Sequence, residues 1–284
     1  MSDLEERPEV EVIVRAAWVP ARGDPAHAAE LVSQWLCGET LAVLEASGEW
    51  LRCRGDDGYV AWTPAGGVLQ ADAAASETWR ASATAFSLGV ALERDVARDA
   101  GGLPLDRPGA WPGPSRLPFG ARVAPPEDGA VRLPDGRAVR LSDPARIVIG
   151  HLAPDPEAVL ACATSWIGTP YVWGGRSDWG ADCSGFVQLV YAAHGVRLPR
   201  DSYQQFDAGP ALPEGEPVST GDLLFYAETP GRVTHVAICL DDRHVIHCST
   251  TNAAVAINDM EGGLPLEEKL RHWRVGATRP LATD

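Results

Sequence analysis

The sequence predicts an α+β protein in which two small β-barrels precede a domain of helices followed by strands. Three observations point there. From Val10 to Leu69, short β-like runs (EVEVIVRAAWV, TLAVLEASG, EWLRCRG, GYVAWTP) alternate with turns built from Gly and Asp. Residues 73–150 repeat that style less regularly. Beyond about residue 150, helical patterns give way to the strand patterns GDLLFYA, THVAICL, HVIHCST and AVAIN. The expected domains are 1–72, 73–150 and 151–284.

In the first barrel, Ala26–Leu36 (AHAAELVSQWL) fits either a short helix or a loop. In the second, TWRASATAFSL reads as another β-like run, and a Pro/Gly-rich span leads to ARVAPPEDGAVRLPDGRAVRL, where PDG marks a turn between strands. In the third part, PDPEAVLACATSWIG predicts a helix with Asp155 as N-cap, Pro156 at the first helical position and Gly168 at its end. CSGFVQLVYAAHG predicts another, capped by Asp182, closed by Gly195, and striped by Phe186, Leu189, Val190 and Ala193.

Composition narrows the function. The chain has 284 residues, 45% of them apolar, and a net charge of −15. A chain this acidic does not predict a uniformly basic nucleic-acid surface, which needs clustered Lys and Arg; nearly all its positive charge is arginine, Lys269 being the single lysine, a bias without functional weight. No stretch of 18 apolar residues predicts a membrane span, and the acidic start MSDLEERPEVEVIV lacks signal-peptide character, so a cytoplasmic location is expected. Six cysteines (37, 53, 162, 183, 239, 248) in such a compartment are expected to stay unbridged. Most of the ten tryptophans, including Trp111, read as packing residues.

Cys183 begins the second helix, where unpaired N–H groups and the helix dipole favour a thiolate; a buried structural cysteine is the competing reading. THVAICL puts His235, Ala237 and Cys239 on one strand face, and HVIHC puts Val245 and His247 on one face. If Asp241-Asp242-Arg243 is a three-residue turn, Leu240 pairs with His244 and His235 with Ser249. His247 then lies diagonal to His235, roughly 7–8 Å away. One imidazole can take the thiol proton while the other orients it, although a lone histidine on a strand is more often a core residue. Zinc competes for His235, Cys239, His244, His247 and Cys248. However, His244 and Cys248 face away from His247 and there is no CxxC pair, so no metal or other cofactor is expected.

In order, PYVWGG, DCSGFVQLVY, LPRDSYQQ, GDLLFY, THVAICL and VIH resemble the NlpC/P60 family of papain-like cysteine peptidases over residues 155–280. The resemblance implies Cys183 as nucleophile, His235 as general base, His247 as third polar residue, and Tyr171 near the reacting carbonyl of a peptidoglycan peptide. ETLAVLEASGEWLRCR…GYVAWTP resembles bacterial SH3 (SH3b) domains. Together with Arg200-Asp201-Ser202, this is similar to the γ-D-glutamyl-L-diamino acid endopeptidases, which recycle wall peptides bearing a free N-terminal L-Ala.

That resemblance implies a substrate-binding set of Tyr171, Trp173, Asp182, Ser184, Arg200, Asp201 and Ser202, with Glu39 and Tyr59 closing the amine end. The residue types fit: Asp182 and Asp201 suit an ammonium, Arg200 and Ser202 the free carboxylate of γ-linked D-Glu. Helix capping alone accounts for Asp182, and Tyr59 equally suits a half-buried barrel aromatic. The expected partner is a small peptide, L-Ala-γ-D-Glu-diamino acid. Alternatives are a general cell-wall γ-D-Glu endopeptidase or amidase, a non-catalytic wall-peptide binding protein, and an acyltransferase or thioesterase on the same scaffold.

Overall fold

The computed structural model describes residues 10–93, 113–213 and 215–281. Trp111, much of the Pro/Gly-rich span and the first nine residues of the acidic start lie outside the described residues. The chain divides into two compact units, Met1–Gly150 and His151–Asp284.

The first unit opens with β1 (Glu11–Val14), β2 (Trp18–Arg22), β3 (Leu31–Leu36), β4 (Thr40–Ser47), β5 (Trp50–Arg54), β6 (Val60–Pro64) and β7 (Val68–Ala71). These form one SH3-like sheet in the order β3-β2-β6-β5-β4-β1-β7. Its core is Val12, Val14, Val19, Ala21, Trp35, Leu41 and Cys53, with Tyr59 packed against it half-buried. The ambiguous stretch Ala26–Leu36 is neither a helix nor wholly a loop. After a turn, Leu31–Leu36 pairs along β2 from Trp18↔Leu36 to Ala21↔Ser33. That pairing buries Trp35 and Leu36, which no isolated helix of this length would do.

The TWRASATAFSL run is also corrected. Its first half belongs to α1 (Ala73–Ser82), and only its second half enters β8 (Ala85–Ala91). Asp72 caps α1 by accepting from the Ala75 N–H at 2.8 Å, and the alanine-rich start favours helix over strand. β8 pairs with β9 (Arg116–Val123), and later with β12 (Ile147–Ile149). Between them, β10 (Ala130–Arg132) and β11 (Ala138–Arg140) form the hairpin expected around PDG, with Gly136 at φ +82°. Cys37 packs into the core of this second group beside Leu117, Val123, Val131 and Val139.

The second unit has the expected helices-then-strands order. α2 (Pro156–Thr164) is capped by Asp155, whose carboxylate accepts from Ala158 N–H at 2.9 Å. A short hairpin, β13 (Arg176–Ser177) and β14 (Gly180–Ala181), leads into α3 (Cys183–Ala193) and then α4 (Ser202–Ala208). β15 (Leu223–Tyr226), β16 (His235–Cys239), β17 (His244–Ser249), β18 (Ala254–Asp259), α5 (Pro265–Trp273) and β19 (Arg274–Thr278) complete it. The sheet order is β18-β17-β16-β15-β19, antiparallel throughout. α3 is buried almost all round rather than on one stripe, Gln188 included. Among the described residues, no helix is long and apolar enough to cross a membrane.

Candidate active site

The β16–β17 hairpin has the expected register: Ile238↔Ile246 and Cys239↔Val245 continue to a Leu240–His244 backbone bond of 2.8 Å. The diagonal pair therefore meets. His235 Nε2 lies 2.6 Å from His247 Nδ1. His247 is fully buried, and its Nε2 lies 2.9 Å from the Asn258 side-chain oxygen on β18. Burial, first of all, pushes His235 well below 6.5, and the neighbouring His247 adds to this. Burial lowers His247 too, against the opposing effect of its hydrogen bond to the Asn258 oxygen. Both rings are thus neutral near pH 7.

Their tautomers follow from the bonding. A neutral His247 that donates from Nε2 to an amide oxygen has an unprotonated Nδ1, which must accept the His235 Nε2–H. His235 Nδ1 is then a lone pair. The row ends in a base.

Cys183 sits beside that row. The N–H of Val236, the residue after His235, and that of Ser184 both favour its thiolate, as does Arg200. Burial outweighs them, with help from Asp182, and pushes the thiol up to about 12. The helix N-terminus alone therefore does not ionise it, contrary to the simple dipole expectation. Cys183 is thus a protonated thiol bonded by the N–H that follows a neutral His235 in sequence. Tyr171, half-buried, lies in the electrostatic field of Cys183 and Asp182. Burial chiefly raises its phenol, so it stays a hydrogen-bond donor. The Cys248 thiol, donating to Ala181 O at 3.0 Å, also lies in the field of Cys183.

The glycines of the WGG and CSG motifs let the chain close here. A Cβ on Gly185 would stand 2.2 Å from the Gly175 carbonyl oxygen, and one on Gly175 would stand 2.6 Å from Gly180 O. Only glycine permits the start of α3 to press against this loop.

Two of the charged residues expected to hold a ligand, Arg200 and Asp182, pair with each other. Arg200, 1% exposed, donates to both Asp182 oxygens at 3.0 and 2.7 Å and to the Ser184 hydroxyl at 3.0 Å. Asp182 also accepts from the N–H groups of Gly185 at 2.7 Å and Gly174 at 3.1 Å. Arg200 and Asp182 therefore meet as an ion pair across α3's first turn, 18 residues apart in sequence. Asp201 precedes α4, where the Gln204 side chain accepts from its N–H at 3.1 Å. Ser202 is buried at the helix start. Trp173, two residues after Tyr171, is 62% exposed.

Glu39 and Tyr59 lie in the first unit. Glu39 accepts from the Leu36 N–H at 2.8 Å in the β3–β4 turn, and Tyr59 precedes β6 at the edge of that unit's core. Among the described residues, no cluster of three or more His, Cys, Asp or Glu is arranged to hold a metal. Sequence reasoning missed Asn258 and, beyond it, Glu267 on α5. A polar Asn ending the apolar strand AVAIN beside a histidine strand was the available signal.

Residues 168–274 match the NlpC/P60 family, and residues 21–67 the bacterial dipeptidyl-peptidase SH3 domain. The chain is 27% identical over 245 residues to γ-D-glutamyl-L-lysine dipeptidyl-peptidase of Bacillus cereus, covering 81% of this chain and 71% of that protein. It is 33% identical over 123 residues to the Bacillus subtilis protein of the same name, covering 43% of this chain and 40% of the relative. The solved NlpC/P60 family protein from Bacillus cereus has the same fold: TM-score 0.76 at 20% identity, over 96% of this chain and 100% of that one. This chain thus carries an NlpC/P60 cysteine-peptidase domain together with a bacterial dipeptidyl-peptidase SH3 domain.

Proposed function

We propose that this chain hydrolyses the γ-D-Glu–diamino acid bond of peptidoglycan-derived peptides that carry a free N-terminal L-Ala, releasing L-Ala-γ-D-Glu. One observation supports the chemistry above all: the hydrogen-bonded histidine row leaves His235 Nδ1 unprotonated, and the Cys183 thiol is bonded by the N–H of the next residue, Val236. Cys183 attacks the γ-carbonyl while His235 Nδ1 takes its proton. The tetrahedral intermediate collapses as His235 returns the proton to the leaving amine of the diamino acid. Water, deprotonated by His235, then cleaves the thioester and restores the thiol. Tyr171, protonated and nearby, is the donor for the developing oxyanion.

The substrate assignment draws on the names of the two Bacillus relatives and on the RDS segment ahead of α4. In this reading Asp201 and Ser202 serve the ligand, with Trp173 as an exposed lining residue. Arg200, Asp182 and Ser184 act on the frame, holding Cys183 in place. The segments 1–72, 73–150 and 151–284 serve as two SH3b-type domains and a catalytic domain. Six unbridged cysteines favour a reducing, cytoplasmic setting.

The test is incubation with L-Ala-γ-D-Glu-diaminopimelate and its N-acetylated twin, with products identified by mass spectrometry. The expected result is L-Ala-γ-D-Glu from the free peptide, at least about a hundredfold faster than from the acylated one. A carboxylate left without its cationic partner costs on the order of 3–5 kcal/mol. Equal rates would make the chain a general wall endopeptidase, and no cleavage of either would leave a binding protein.

A further inference from the structure

The histidine row does not end at Asn258. The Asn258 side-chain nitrogen lies 3.4 Å from Glu267 Oε1 on α5. Glu267 is itself buried, and its carboxylate accepts the N–H of Leu264 at 2.9 Å and that of Asp259 at 3.2 Å. Those backbone donors hold its carboxyl below the usual carboxylate range, so it offers acceptors only. On its other side, the Asn258 oxygen accepts from the Asn252 side-chain nitrogen at 2.7 Å as well as from His247. Turning the amide over would set its oxygen against the Glu267 carboxylate and its NH₂ against two other nitrogens. Only one orientation satisfies every partner.

We propose that Asn258, its amide direction fixed by the Glu267 carboxylate, is a positioning residue that commits the His247 proton to Nε2 and so leaves His235 Nδ1 as the base. The chain of consequence runs from an ion to a tautomer. The carboxylate takes the amide N–H, the amide oxygen takes the His247 Nε2–H, His247 Nδ1 takes the His235 Nε2–H, and His235 Nδ1 stays open. A row of neutral groups without this anchor has two equivalent directions, and in the reversed one His235 carries its proton on Nδ1. The inference rests on His235 serving as the base in the proposed reaction.

The test is nitrogen NMR of the full chain labelled with [¹⁵N]histidine at pH 8, with iodoacetamide alkylation of Cys183 mapped by mass spectrometry. The wild-type protein should show His235 and His247 both protonated on Nε2; a His247 protonated on Nδ1 overturns the proposal without any variant. Asn258→Leu should lose the single tautomer and lower both Cys183 alkylation and kcat by roughly 10- to 100-fold, with KM little changed. Glu267→Gln should shift the tautomer without touching a histidine. The double variant Asn258→Asp with Glu267→Gln reverses the donor and acceptor at that contact and should recover alkylation and kcat to within about threefold of wild type. Recovery supports orientation over simple loss of packing. Wild-type tautomer and rate in Asn258→Leu, or no recovery in a folded double variant, overturns the proposal. If the tautomers and alkylation behave as expected while no muropeptide is cleaved, the substrate reading fails and the positioning role stands.

Discussion

Two buried polar clusters flank Cys183, and they are built on opposite principles. At the start of α3, Asp182 and Arg200 form an ionic cluster in which five donors converge on one carboxylate. Along the sheet, His235, His247 and Asn258 form a neutral row with each proton placed. The ionic cluster is closed: its charges are satisfied within the fold, and breaking it leaves a buried charge. The neutral row has an open end. In the proposed reaction the charged cluster shapes the site, whereas the lone pair at the end of the neutral row takes the proton.

That contrast makes separable predictions. Cys183→Ala and His235→Ala should each lower kcat on the order of 10⁴-fold or more, with circular dichroism and melting unchanged. His247→Ala should lower kcat by roughly 10²- to 10⁴-fold, since an orienting residue weighs less than the nucleophile. Arg200→Ala should instead appear in denaturant unfolding, as a loss of about 3–5 kcal/mol. Full stability with lost substrate affinity in that variant would return Arg200 to the ligand.

The pH response should also follow the neutral row. In the proposed reaction His235 must be unprotonated to accept the thiol proton, and burial holds it well below 6.5. The kcat/KM profile should therefore be flat above pH 6.5 and fall only as pH drops through that lowered value. Stability has the same sign. Below pH 6.5 the unfolded chain binds protons that folded His235 and His247 resist, so stability held above 6.5 is lost as pH falls toward their folded values. Urea midpoints at pH 8 and pH 5.5 check this. EDTA should leave kcat unchanged, the smallest effect of all.

Much of this was legible from local rules. The caps at Asp155 and Asp182, the PDG hairpin and the 240–244 turn register all follow from short-range geometry, and with the register came the meeting of the two histidines. The misses have two causes. At Leu31–Leu36, where the sequence offered a helix or a loop, pairing with β2 made a strand, which is tertiary information. At α1, the local signal was present in Asp72 followed by alanines but was outweighed by the β-like run after it. The Asp182–Arg200 pair and the Asn258–Glu267 contact join separate elements, so no spacing rule reveals them. The thiol's burial, which reverses the helix-dipole expectation at Cys183, is likewise a product of packing.

The central claim is that, of six cysteines, only Cys183 reacts. Graded alkylation with iodoacetamide, with peptide hydrolysis measured on each fraction and every modified cysteine mapped by mass spectrometry, tests it directly. Residual activity should fall in proportion to Cys183 modification and reach zero when that one site is filled, whatever the state of Cys37, Cys53, Cys162, Cys239 and Cys248. Activity that survives complete modification of Cys183 would contradict the account.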